Sequence, residues 1–402
     1  MAICFLVSLV FLGANQGQNP QWKGTIEEED GVKIIKNPNE PLYGEITFDL
    51  EEDLSIGNEE DENYVFYRAT GISVDSEGNI LVLDSGNFRI QKYDKNGKYL
   101  QTIGRQGQGP GEFESPRSLY IDARDNFYIE DSFKRIETFD KNGVFKERIK
   151  LKTDSALMRS LGFMRGGNFI ARTISRGERK SDMPGDYDSF LNIDLISQDG
   201  TSIKTVASFR LENSERIKND RGGYLYLNNL CKPFLGFCPI NEEMAVYGFS
   251  SEHELFVINS SGELEYIIKK DELPQPVTEA EKDKVIDRIM GIPMKLSRRK
   301  IAGTIRLPKY KPFYREIIKD DKNRIYVEKF KFPFDRGDSV DFDIFSKGGY
   351  YLYKAKIPAR YPFYPPVIKN GYDYTREIDL ETGYTKIKRY KIKNWEQIKT
   401  GI

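Results

Sequence analysis

Most of the chain is written in short runs of four to six alternating or continuous apolar residues, punctuated by Gly, Asn, Asp and Pro. Runs of that length bounded by turn residues predict β-strands, not helices. The clearest stretch is Gly71-Ile-Ser-Val-Asp75, Ile80-Leu-Val-Leu-Asp84, Arg89-Ile-Gln-Lys-Tyr-Asp94 and Tyr99-Leu-Gln-Thr-Ile103. Glu77-Gly-Asn79 and Asn96-Gly97 stand between these runs and supply the positive-φ positions that tight hairpins need, so the segment predicts one four-stranded antiparallel meander.

The unit returns. Ser118 to Asp122, Asn126 to Asp131, Arg135 to Asp140, Asn142-Gly143 and Phe145 to Ile149 repeat it, with Asp122 in the place of Asp75. Repetition at this period predicts propeller blades. Weaker copies follow, with turn residues at Gly166-Gly-Asn168, at Asn259 to Gly262, at Asp321-Lys-Asn323 and at Lys347-Gly-Gly349. The expected fold is therefore all-β: a six-bladed β-propeller of four-stranded antiparallel blades at residues 71–104, 118–150, 160–209, 234–269, 314–358 and 366–394, all within one domain over 22–402.

The sixth copy shows three strands only. Residues 45–56 are the expected donor of the fourth, because a strand from one terminus removes the exposed seam of an open ring. Its Glu45, Asp49, Glu51 and Glu52 would lie beside Lys386, Lys388 and Lys391. One helix is expected between blades four and five. Thr278-Glu-Ala-Glu281 has capping-box spacing ahead of Val285, Ile286, Ile289 and Met290, and Pro293 should end or kink it. Such a helix either covers a site or simply packs on the propeller.

The residues of the first two copies resemble a known family. Gly78-Asn-Ile-Leu-Val-Leu-Asp84, Asn87, Arg89-Ile-Gln91, Tyr93-Asp94 and Gly97 are similar to the core of an NHL repeat, and Gly107-Gln-Gly-Pro-Gly-Glu-Phe113 with Pro116 looks like its opening. The whole chain resembles exported bacterial six-bladed propellers that carry this loop. Blades three to six lack the Asp-and-Arg signature.

Composition narrows the function. A formal net charge of −1 leaves no electrostatic footprint for nucleic acid. Residues 1–12 are almost wholly apolar and a polar stretch follows, so residues 1–21 read as an export signal or a disordered N-terminus, too short to span a membrane comfortably. A periplasmic or extracellular location is the expectation. Cys4 falls in that leader, which leaves Cys231 and Cys238 as candidates for a disulfide or as two reduced, buried thiols.

The chain holds a single histidine, His253, which argues against His-rich zinc sites and histidine-based nucleophilic triads. Its setting, Ser250-Ser-Glu-His-Glu254, reads as an exposed turn. Gly104 to Gly111 lacks the Gly-Lys-Ser/Thr ending of a phosphate loop and reads as a connection between blades. No cofactor is expected. Calcium is the metal left open, because it needs only oxygen donors and lactonase-like propellers place carboxylates and amides around their channel. The Asp-Lys-Asn-Gly runs at Asp94 and Asp140 lack the later ligands of a calcium loop and read as turns.

Two functions compete: a binding or scaffold propeller for a peptide, glycan or protein, and a calcium-dependent hydrolase or lyase. The first is preferred for want of a convergent acid cluster. The long insertions all fall on the face that carries the crossovers between blades. Arg68, Arg117, Arg159 and Arg315 are expected to ring the channel mouth there, with Tyr314 and Tyr361 adding flat contact surface, a setting suited to an anionic ligand.

Overall fold

The structure, a computed structural model, describes residues 21–132, 134–179, 187–211, 215–218, 224–227, 231–291, 297–332, 334–335, 337–359 and 366–402. The expected leader, residues 1–20 above all, lies outside the described residues, as do Pro293 and Tyr361. So do the side chains of residues 159 and 160.

Six antiparallel sheets of four strands form a six-bladed propeller. Blade one comprises Ala69–Val74, Ile80–Asp84, Arg89–Tyr93 and Tyr99–Ile103; blade two Pro116–Ile121, Phe127–Asp131, Arg135–Phe139 and Phe145–Lys150. Blade three comprises Ala156–Phe163, Phe169–Arg179, Tyr187–Ile196 and Ser202–Leu211; blade four Leu235–Pro239, Met244–Phe249, Glu254–Asn259 and Leu264–Lys270. Blade five follows with Tyr314–Lys319, Ile325–Lys329, Ser339–Phe345 and Tyr351–Pro358. Blade six has Val367–Lys369, Tyr372–Ile378 and Thr385–Ile392 with Leu50–Ile56 as its outer strand. The first strands of successive blades touch around the centre, and blade six returns to blade one.

Burial across a blade explains its sequence. Ile80–Asp84 is buried throughout because neighbouring blades cover both its faces, whereas the outer Tyr99–Ile103 alternates between half-buried and exposed. Turn chemistry recurs with equal economy. Asp75, Asp122 and Asp320 each accept backbone N–H bonds two and four residues on, and Asp94 and Asp140 do the same at the last hairpins of blades one and two.

Two glycines must be glycine for more than turn geometry. Gly97 has φ +82°, and a Cβ there would lie 2.9 Å from Leu54 on the outer strand of blade six. Gly143, φ +84°, would meet Ile103 of blade one at 2.8 Å. The last hairpin of one blade thus tucks under the outer strand of the one before it.

The Asp-and-Arg pairs that repeat in blades one and two hold the crossovers in place. Asp84 accepts from the Arg68 N–H at 3.0 Å and pairs with Arg89, and Asp131 accepts from the Ser115 N–H and pairs with Arg135. The Gly104 to Gly111 connection is closed by Glu112, whose carboxylate accepts from the Gly109 N–H at 2.8 Å and pairs with Arg105.

Residues 45–56, expected as one strand, divide between two blades. Glu45–Thr47 runs parallel to Lys354–Lys356 on the edge of blade five, and only Leu50–Ile56 pairs with Thr385–Ile392. Glu52 meets Lys388 at 2.8 Å and Asp53 meets Arg389 at 2.9 Å, while Glu51 lies opposite Lys391. A third segment precedes these. The hairpin Thr25–Glu29 and Val32–Asn37 lays its second strand parallel to Leu264–Lys270 of blade four. The N-terminal segment is therefore a strap along the outer edges of blades four, five and six in turn.

The expected single helix is one of two. α1 (Glu279–Met290) begins with the Thr278–Glu281 capping box, and α2 (Arg298–Thr304) is capped by Ser297. Val285, Ile289 and Ile301 share a small core with Cys231 and Phe332, so the pair packs on the propeller. Among the described residues no helix is long and apolar enough to cross a membrane.

Candidate functional site

In four blades, the innermost strand carries extra residues near its start, at the end of the channel where the crossovers lie. Register slips between Ala69 and Gly71, between Pro116 and Ser118, and between Tyr314 and Glu316 leave Thr70, Arg117 and Arg315 as bulge residues. In blade three the slip between Leu157 and Leu161 takes in Met158, Arg159 and Ser160. A bulge re-aims the side chain it carries and breaks the alternation of the strand. Blades one, two and five share this one position for an additional side chain.

Around that level the channel is charged. Arg117 Nε lies 3.5 Å from Glu130, and Arg315 Nη1 lies 3.4 Å from Glu328. Glu316 stands opposite Glu328 in register. From blade three, Arg172 donates to the Leu235 carbonyl of blade four at 2.7 Å, lies over the Phe234 ring, and is close enough to blade five to influence Glu316. Arg376 of blade six donates to the Ala69 carbonyl of blade one.

Burial pushes the Glu328 carboxyl up to about 7; Glu316 adds to the rise and Arg315 opposes it. Burial likewise raises Glu316, against the pull of Arg172. Two carboxyls side by side in a partly dry channel favour sharing a proton.

The other expected site residues fare differently. Arg68 precedes the strand and is exposed; Thr70 occupies the register that Arg117 and Arg315 share, so Arg68 is not a member of the ring. Tyr314 is fully buried between blades four and five and presents no surface to a ligand. Arg159 lies in the bulge of blade three by its backbone. Cys231 and Cys238 are unbonded thiols in two separate cores, and burial pushes both up to about 12.

His253 is not an exposed turn residue. It is 7% exposed, edge-on to Phe313, with Nε2 3.5 Å from Glu272 and 3.7 Å from Asp343. The loop that carries it is covered by blade five, a contact no local pattern could announce. Lys270 Nζ reaches Asp343 at 2.7 Å and Glu272 at 2.9 Å, Lys329 also pairs with Glu272, and Tyr351 donates to Asp343 at 2.5 Å. Burial alone would raise the Asp343 carboxyl, but the facing His253 and the two ammonium groups hold it well below the usual range. His253, Glu272 and Asp343 converge closely enough to ligate a cation. Lys270 and Lys329 already place positive charge on those carboxylates, so the cluster is complete as an ion network between blades four and five.

A family model described as "6-bladed beta-propeller" matches residues 59–164. No curated protein matches the chain. Among solved structures, a Bacteroides fragilis protein provisionally classed as exported shares 11% identity, with 89% of this chain and 100% of that one covered and a TM-score of 0.48. A duf4221 family member from Bacteroides vulgatus shares 13% over 86% and 98% of the two chains, TM-score 0.48. The calcium-binding protein regucalcin from Agrobacterium tumefaciens shares 10% over 85% and 94%, TM-score 0.38. The chain has the architecture of a six-bladed β-propeller.

Proposed function

We propose that this chain is an exported binding propeller that holds an anionic ligand, a carboxylate-bearing peptide or glycan, at the crossover end of its channel. The observation that carries the reading is the shared bulge, which gives blades two and five an arginine, Arg117 and Arg315, at one structural position. Arg172 and Arg376 lie near the same level, and the Glu316 and Glu328 carboxyls there are drawn toward the neutral form. Guanidinium groups in a channel of reduced polarity are strong, directional partners for carboxylates. Arg315 keeps 40% of its side chain exposed and is the group a ligand would meet first.

The test is capture on a panel of acidic peptides and uronic-acid oligosaccharides. Replacing Arg117 or Arg315 with Ala should weaken a captured ligand about tenfold each, as loss of a charge-assisted hydrogen bond does. Unchanged capture by both variants would contradict the reading.

The Glu316–Glu328 pair supports a second reading, calcium-dependent hydrolysis or elimination. It separates cleanly from the first: calcium should then raise the melting temperature of the native protein and not that of a Glu316→Gln, Glu328→Gln double variant.

A further inference from the structure

The opposite end of the channel, where only tight turns close the blades, holds a cavity of about 570 Å³ to which all six blades contribute. Its wall is apolar at Ile72, Leu119, Leu161, Phe163 and Val367, and Asp122, Glu242, Asp320 and Asp321 also belong to its lining. Two lysines at the ends of innermost strands, Lys319 of blade five and Lys369 of blade six, also line it.

Both are bonded to backbone carbonyls of neighbouring blades. Lys319 Nζ donates to the Ile240 carbonyl and Lys369 Nζ to the Val74 carbonyl, each at 2.7 Å. Among the described residues neither ammonium has a carboxylate at ion-pair distance, and Asp320, the acidic neighbour of Lys319, is engaged by Arg324, Tyr326 and turn amides. An ammonium group has three donors, so each lysine keeps further donors for a ligand. Burial lowers the Lys319 ammonium from its ordinary range; Cys238, Asp320 and Asp321 oppose the fall and the Lys369 charge adds to it. An anion bound beside them would relieve both effects.

We propose that this end of the channel is a second binding site, for an amphiphilic anion whose apolar body fills the cavity and whose carboxylate is held by Lys319 and Lys369. The volume suits a small organic molecule. Of the carboxylates in the lining, Asp122 and Asp320 are taken up by turn amides and by Asn126, Tyr128, Arg324 and Tyr326, and Asp321 accepts from the Asn370 N–H. The site is separate from the arginine ring, so the two stand or fall independently.

Calorimetric titration with octanoate, octan-1-ol and octylammonium tests it. Octanoate should bind at one saturable site, and octylammonium at least about tenfold more weakly. Lys319→Met and Lys369→Met should each weaken octanoate about tenfold while the octan-1-ol affinity holds, and Lys319→Arg should retain binding. The Arg117→Ala and Arg315→Ala variants should bind octanoate as the native protein does. Absence of saturable octanoate binding, equal affinity for octylammonium, native affinity in the double Met variant, or loss of octanoate binding in the arginine variants would each overturn the proposal.

Discussion

Glu316 stands opposite Glu328 on the two innermost strands of blade five, and Arg315, the bulge residue beside them, reaches Glu328 at 3.4 Å. Because Glu328 titrates near 7, its charge competes with an incoming carboxylate for Arg315 above that pH and gives way below it. Binding of an acidic peptide such as hexaglutamate, still ionised at pH 6, should therefore tighten between pH 8 and pH 6, by up to about tenfold per unit for one coupled proton. In Glu328→Gln the dependence should flatten. An equal slope in the variant would show that another group is responsible.

Stability should respond to His253 with the opposite sign. Burial holds its folded-state pKa below the unfolded value, with Lys329 and Lys270 assisting and Asp343 opposing. The unfolded chain then binds more protons as pH falls through about 6.5, so the folded state loses stability from there down to the folded pKa. Glu328, raised in the folded state, gains stability as pH falls from above 7 toward the unfolded value of about 4.5. Native protein shows the sum. The difference between native and His253→Gln in urea melts at pH 7.5 and 5.5 isolates the histidine, and native protein should lose more on acidification. Parallel losses in both proteins would contradict a buried neutral imidazole.

One buried side chain ties the strap across two blades. Asn37, 2% exposed, accepts from Trp22 Nε1 at 3.0 Å and from the Tyr351 N–H at 2.8 Å, and donates to the Gly349 carbonyl at 2.9 Å. It joins the segment lying on blade four to blade five. Asn37→Ala leaves buried backbone groups without partners and should cost about 3 kcal/mol in urea unfolding. A coincident unfolding curve would show that the strap contributes little to ring closure.

Both thiols should behave as core groups. Cys231 packs with Val285, Ile289 and Phe332, and Cys238 with Ile240, Val246 and Ile317. Iodoacetamide should leave them unmodified in the native protein and alkylate both on unfolding without reductant, as peptide mass mapping would show. A Cys231–Cys238 cross-linked peptide would contradict this placement.

The blades were legible because their hairpins are set by local chemistry: Asp75, Asp94 and Asn96-Gly97 act within a few residues, and the burial of Ile80–Asp84 appears directly as a continuous apolar run. Long-range contacts were not. Val32 to Asn37 carries an adjacent pair of buried isoleucines, Ile34 and Ile35, but nothing local names their cover, and its partner strand lies more than two hundred residues away on blade four. The Ser250 to Glu254 turn reads as exposed because blade five, which covers His253, leaves no mark on it. The channel arginines fall between these cases. Arg117 and Arg315 share a bulge, but a bulge is a two-against-one register with a partner strand, so the sequence could not distinguish Thr70 from Arg68 in blade one.

An anion site at the crossover end is tested most directly by following arginine Nε–H resonances of ¹⁵N-arginine-labelled protein during a hexaglutamate titration, assigned with Arg→Lys variants. The Arg117 and Arg315 signals should move together along one saturable curve while arginines outside the channel stay fixed. Saturable binding that leaves both signals in place, or no saturable binding at all, would contradict an anion site at the crossover end of the channel.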